Sequence, residues 1–193
     1  MRKMKGRREK GQYGYRDFHK KMQTAKVIFG GAMILIQLLA RNFTDNDAAK
    51  NILTVMAVLT VLPTANVAAP LLASWRYQTP DESFYERAAG LESRGRILYD
   101  LIITSREQLM PMDAVMVHPA GVFAYCSGAK VDGTKAEEFL NGMFKSHKLD
   151  GNVKVLKDEK AFFKRAGSLK PACEFEDDGS VEYGIRVLKG LSM

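Results

Sequence analysis

Cysteine and histidine are scarce in this 193-residue chain, at two and three copies, and that scarcity excludes several kinds of chemistry. Cys126 and Cys173 are too few for a disulfide framework, and a cytoplasmic domain, argued below, would keep them reduced. His19, His118 and His147 have no metal-ligand spacing with either cysteine. The chain also lacks a phosphate-cradling Walker loop, a dinucleotide glycine fingerprint and a G-x-S-x-G elbow. No internal repeat or low-complexity tract stands out beyond a basic N-terminus. No cofactor, no metal and no catalytic residue is therefore expected.

Charge is missing from two long runs. Residues 24–40 (TAKVIFGGAMILIQLLA) carry one charge, Lys26 at the edge, and one inner polar side chain, Gln37. Residues 52–75 (ILTVMAVLTVLPTANVAAPLLASW) carry none. As helices at about 1.5 Å per residue they extend roughly 26 and 36 Å, bracketing the ~30 Å hydrocarbon core of a bilayer. The polar turn NFTDNDAAKN, residues 42–51, separates them, so the expectation is a transmembrane helical hairpin over 24–75. Its packing should use Gly30, Gly31 and Ala32 against Ala57, Ala65, Ala68 and Ala69. Pro63 should bend the second span. Counted inward from the same side, Gln37 and Thr60 reach about the same depth and are expected to pair, with Asn66 a third buried polar group.

The positive charge is confined to one end. Residues 1–26 hold 10 basic and 2 acidic side chains, whereas residues 76–193 hold 17 basic and 18 acidic. The basic N-terminus, residues 1–23, is thus expected in the cytoplasm by the positive-inside rule, with the turn outside and everything after Trp75 cytoplasmic again. The expected location is a multi-pass protein of the cell membrane. Arg2, Lys3, Lys5, Arg7, Arg8, Lys20, Lys21 and Lys26 are its expected contacts with anionic lipid of the inner leaflet. Because residues 76–193 are close to neutral, the high overall charge does not argue for nucleic acid as a partner.

Residues 79–193 read as a small cytoplasmic α/β domain with a mixed sheet. Thr79-Pro80-Asp81-Glu82 resembles a capping box, opening a helix expected to run to about Thr104 with Phe84, Ala88, Leu91, Leu98 and Ile102 on one stripe. DAVMVH and VFAYC, joined by Pro119-Ala120-Gly121, read as a hairpin of buried strands. Thr134 and Glu137 open a further helix to about Lys148, NVKVL is a strand, and a short helix over 159–165 should stop at a left-handed Gly167. Val181, Tyr183, Ile185 and Val187 alternate with polar residues, as in a half-buried final strand.

The segment MDAVMVHPAGVFAYCSG resembles the core of the nuclease-related domain (NERD) branch of the PD-(D/E)xK nuclease-like superfamily. The resemblance implies a glutamate on a preceding helix, an aspartate on the first strand and Glu-x-Lys on the returning strand. Here Glu92, Asp113, Cys126 and Gly128 fall at those four positions. Two carboxylates would hold Mg²⁺ against a phosphate while the lysine orients water. With Cys126 and Gly128 in place of the glutamate and lysine, the implied site is degenerate.

The leading expectation is therefore a membrane-anchored, non-catalytic cytoplasmic module with a binding or adaptor role, whose partners are lipid and a protein or a second copy of the chain. A membrane-tethered nuclease-like domain with residual nucleic-acid binding or cleavage is the second reading. A small membrane subunit whose hairpin docks into a larger complex is the third.

Overall fold

The structure is a computed structural model describing residues 8–176 and 178–193. It divides into two units: the described part of Met1–Arg16 joined with Tyr77–Met193, and Asp17–Arg76. In sequence, the second unit is an insertion into the first.

The inserted unit is a helical hairpin. Helix α1 is Tyr15–Asn42 and α2 is Asp47–Ser74, both long and apolar enough to cross a bilayer and almost unburied over their apolar windows. Both exceed the expected spans, and the turn shortens to 43–46, because Asn46 caps α2 by accepting from the Ala48 and Ala49 N–H groups. The less exposed positions recur at Val27, Gly30, Ile34 and Gln37 on α1, and at Ala57, Thr60, Thr64, Val67 and Leu71 on α2. Alternating steps of three and four residues make the narrow seam of two supercoiled helices. Outside the seam, Ile28, Phe29, Leu35, Val58, Leu62 and Leu72 are exposed, leaving an apolar exterior.

Gln37 and Thr60 do pair, 3.3 Å from Nε2 to Oγ1. Gly30 is a close approach: a Cβ there would overlap the side chain of Thr64. Gly31 has no such neighbour, and Asn66 is exposed, so the expectation of a third buried polar group there is not met. The α2 assignment continues unbroken through Pro63 and Pro70.

The other unit is a four-stranded sheet in the order β1-β2-β3-β4, formed by Arg96–Thr104, Leu109–His118, Gly121–Tyr125 and Val153–Leu156. The first three strands are antiparallel neighbours, and β4 runs parallel to β3 after the crossover helix α4, Gly133–Ser146. This is the mixed sheet read from the sequence. Helix α4 and the C-terminal α6, Ser180–Leu191, cover one face with Leu140, Phe144, Ile185 and Leu188. Helices α3, Glu82–Ala89, and α5, Glu159–Gly167, cover the other with Phe84, Ala88, Phe162 and Ala166.

Two expected elements change type. The long helix over 79–104 is instead α3 followed by β1: α3 stops at Ala89, and residues 98–103 are buried on every side, which a one-faced helix does not achieve. The expected final strand is α6, because Gly184, Ile185 and Leu188 form a buried stripe at helical spacing. Gly167 is not left-handed, and Asp132 rather than Thr134 caps α4.

Residues 8–16 are not a free tail. Gly11 bridges Tyr99 on the open edge of β1, with its carbonyl accepting from the Tyr99 N–H at 2.9 Å. Ser192 bridges Ile103 further along that edge, and the Met193 N–H donates to the Ile102 carbonyl at 3.0 Å. Segments from both ends of the chain thus close an edge that would otherwise present unpaired peptide groups.

Candidate functional site

Alternation along β1 and β2 breaks at a single rung. Leu98 and Leu101 share one face although they are three residues apart, as do Val115 and Met112. The residues at the break are Asp100, with φ 58°, and Asp113, which the register places opposite it. Both are buried, at 1% and 2% exposure, in a largely apolar core.

Arg16 is the counterion. It is itself 3% exposed, and its Nη1 lies 3.0 Å from Asp113 Oδ1. The same nitrogen donates to the Gln78 carbonyl, and Nη2 donates to the Met112 carbonyl at 3.3 Å. Asp113 Oδ2 accepts from the Ser127 N–H at 2.9 Å, so this carboxylate is bonded on both oxygens. Asp100 Oδ2 accepts from the Gly14 N–H at 2.6 Å and the Thr79 hydroxyl at 2.9 Å. Burial pushes Asp100 above the usual carboxylate range, against the opposing pull of Arg16, Thr79 and Gly14. Among the described residues, Arg16 Nε and Asp100 Oδ1 are buried without a hydrogen-bond partner. A buried ion pair stabilises little beyond its own desolvation cost, but losing one partner strands the other.

Gly11 and Gly14 adopt positive φ, which a side chain resists, and let residues 8–14 turn along β1 so that the Arg16 side chain reaches Asp113. The segment after the hairpin comes to the same place, because Gln78, Thr79 and Pro80 bond to Arg16, Asp100 and the Tyr13 hydroxyl respectively. The charge pattern concealed this role, since Arg16 was one of ten basic residues before residue 27. The available signal was its position just after Gly-Gln-Tyr-Gly-Tyr, away from the denser run of charge.

The four nuclease-like positions are used otherwise. Glu92 lies beyond the end of α3, not on a helix, and accepts from the Tyr99 hydroxyl at 2.9 Å. Burial, then this bond, raises the Tyr99 hydroxyl and keeps it a donor. Asp113 sits within β2 rather than opening it, and is paired with Arg16. Cys126 is fully buried, and burial pushes its thiol up while Gly128 and Lys157 pull it down. A protonated thiol is a poor ligand for a hard cation. At Gly128 a Cβ would stand 2.9 Å from Pro111 and 3.0 Å from Val131, which leaves no room for a lysine without displacing them. Lys157 Nζ donates instead to the Gly128 carbonyl, at 2.6 Å. Asp132 is engaged in capping α4. Among the described residues no group of three His, Cys, Asp or Glu side chains could hold a metal ion.

A cleft of about 220 Å³ adjoins the cluster. Asp113, Tyr125 and Ser127 line it together with Gln78, Asp81, Ser83 and Arg87. Glu159 also lines it, paired with Arg87 at 2.6 Å. Burial raises the Tyr125 hydroxyl, so it remains protonated and able to donate. The volume is below the roughly 300 Å³ at which drug-sized sites begin and suits a small polar molecule or one side chain of a partner.

Among the predicted lipid contacts, Arg8 donates to the Tyr13 carbonyl at 2.9 Å, and Lys20, Lys21 and Lys26 lie on α1. Arg2, Lys3, Lys5 and Arg7 lie outside the described residues. The chain matches no protein-family model, no curated protein and no solved structure.

Proposed function

We propose that this chain is a two-span membrane protein with both ends in the cytoplasm, and that its α/β domain is a non-catalytic module with a binding or adaptor role. The observation that carries the reading is the Arg16–Asp113 pair, 3.0 Å apart and buried. It occupies the carboxylate that the nuclease-like resemblance would assign to a metal. The apolar exterior of α1 and α2 supports the membrane part, because so much exposed hydrocarbon is unfavourable in water at about 25 cal/mol per Å². The positive-inside rule supplies the orientation. The cleft beside Asp113 is the natural place for the ligand or partner side chain.

Two measurements on the full chain test this. A reporter fused after Met193 should be active on the cytoplasmic side, and activity only outside would reverse the topology. The purified protein should not cleave single- or double-stranded DNA or RNA with Mg²⁺ or Mn²⁺. Cleavage abolished by Asp113→Asn in a protein that remains folded would replace this reading with the nuclease one.

A further inference from the structure

The cleft beside Asp113 is lined entirely by the first unit, and the charges on its lining set the sign of what it can hold. Three acidic residues line it. Asp113 is neutralised by Arg16 at 3.0 Å, and Glu159 by Arg87 at 2.6 Å. Asp81 is left over: among the described residues its carboxylate makes no ion pair, and it takes no capping hydrogen bond at the start of α3. The cleft therefore carries one net negative charge. Tyr125 senses the same sign, since burial and then the charges of Asp113, Glu159 and Asp158 raise its hydroxyl. The remaining polar groups are neutral, and among the described residues the hydroxyls of Ser83, Ser127 and Tyr125 have no hydrogen-bond partner. Phe84 and Tyr125, with ring centroids 5.3 Å apart, add aromatic surface. Asp81, Ser83, Arg87 and Ser127 are exposed, so the cleft is reached from outside the protein.

A phosphate or carboxylate would meet an uncompensated like charge in this cleft. A divalent cation needs a fuller set of anionic oxygens than one free carboxylate. A neutral ligand would desolvate Asp81 and return no charge to it. A primary ammonium presents three donors around one point, which suits a carboxylate among several hydroxyl oxygens. The flat fork of a guanidinium suits a carboxylate alone. The methylenes behind an ammonium lie readily on apolar surface while the head stays polar. We infer that the cleft receives the side chain of a lysine presented by a partner protein, its ammonium on Asp81 and the hydroxyls, its stem against Phe84 and Tyr125. The inference rests on the binding-module reading of the domain and adds a ligand chemistry and a recognising residue to it.

The full chain, isotope-labelled at nitrogen and held in detergent micelles, is titrated with Nα-acetyl-lysine N-methylamide, with its Nε-acetylated form and with n-butylamine. Magnetic resonance follows the backbone amide signals of Ser83 and Ser127. The lysine probe should shift both to saturation. Its half-saturation should come at a concentration about tenfold below that of the neutral acetylated form, the size expected of a hydrogen bond to a charged group. Asp81→Asn should remove that advantage and Asp81→Glu should keep it. Glu138→Gln, an exposed position of α4 on the opposite face of the sheet, should leave it unchanged. Equal half-saturation for the charged and acetylated probes, or an advantage that survives Asp81→Asn, overturns the ammonium assignment and leaves the binding-module reading standing. Loss of the advantage in Glu138→Gln would assign it to the general field of the domain and overturn the site. Binding of n-butylamine without the lysine probe overturns the assignment to a partner protein. No shift with any probe overturns the proposal as a whole. The non-catalytic reading falls separately, to cleavage in the nuclease assay.

Discussion

Asp100 and Asp113 face each other across β1 and β2 at the rung where both strands lose their alternation. Each strand slips phase there by one residue, so the register stays constant on either side and the apolar faces remain in step. Two buried carboxylates so placed would repel each other unless a cation stood between them or one carried a proton. Arg16 supplies the cation, and it arrives from a segment separated from the strands by the whole hairpin. The same cluster takes up Gln78 and Thr79 on the return. The polar centre of the domain is therefore assembled from the residues that flank the inserted helices.

The first prediction follows from stranding a charge. Arg16→Met should destabilise the domain by about 3–5 kcal/mol, because Asp113 is left charged and buried. Combining it with Asp113→Asn should recover most of that loss, since the amide oxygen can still accept from Ser127. Denaturant unfolding of the full chain in detergent, read by circular dichroism, measures both. A single variant as stable as the unaltered protein would contradict the pairing.

The second concerns pH. The pKa of Asp100 is raised in the folded state, so the native protein holds this proton more tightly than the unfolded chain, whose value is about 4. Its contribution to stability is therefore greatest at low pH and declines as pH rises from about 4 through the folded value. Relative to Asp100→Asn, the unaltered protein should gain stability as pH falls from 7 toward about 4. Unfolding midpoints of the two proteins across that window test the sign, and a difference that stays flat or runs the other way refutes it.

The third uses the discontinuous architecture. Residues 79–193 alone lack Arg16 and Gln78, and should fold poorly or expose a buried Asp113. Replacing residues 17–76 with a Gly/Ser linker of about six residues, which spans roughly 13 Å, should restore a cooperative domain. Amide exchange protection in β1 and β2 distinguishes the two proteins. Equal protection in both would show that residues 8–16 are dispensable.

The fourth lies in the hairpin. Gly30→Ile should separate α1 from α2, because even a Cβ overlaps Thr64, whereas at Gly31 a Cβ has no described atom within 4 Å. Gln37→Leu should cost only about 0.6 kcal/mol, a typical interhelical hydrogen bond in a membrane. Cross-linking between cysteines introduced at Ile34 and Thr60 should fall sharply for Gly30→Ile and little for Gly31→Ile and Gln37→Leu.

Some of this was legible in the residues alone, and for local reasons. The hairpin is declared by composition over two long runs, and the Gln37–Thr60 pair follows from counting rise along helices of known pitch. The β2–β3 turn carries its own Pro-x-Gly signal, and α4 was legible from Thr134 and Glu137, although Asp132 is the residue that caps it. Short apolar runs carry no such decision. Leu98, Ile102 and their neighbours fit a helical stripe or a strand buried on both faces, and only the pairing with β2 chose the strand. Val181 to Leu188 alternates like a strand, yet it became a helix because packing against Phe144 and Val117 rewards the stripe of Gly184, Ile185 and Leu188. The candidate site was the least legible part. Asp113 could be singled out as a carboxylate in an apolar run, but its partner is 97 positions away and looked like one more charge in a basic terminus. A side chain's charge is written in the sequence, whereas its burial and its counterion are set by distant segments that meet only when the chain folds.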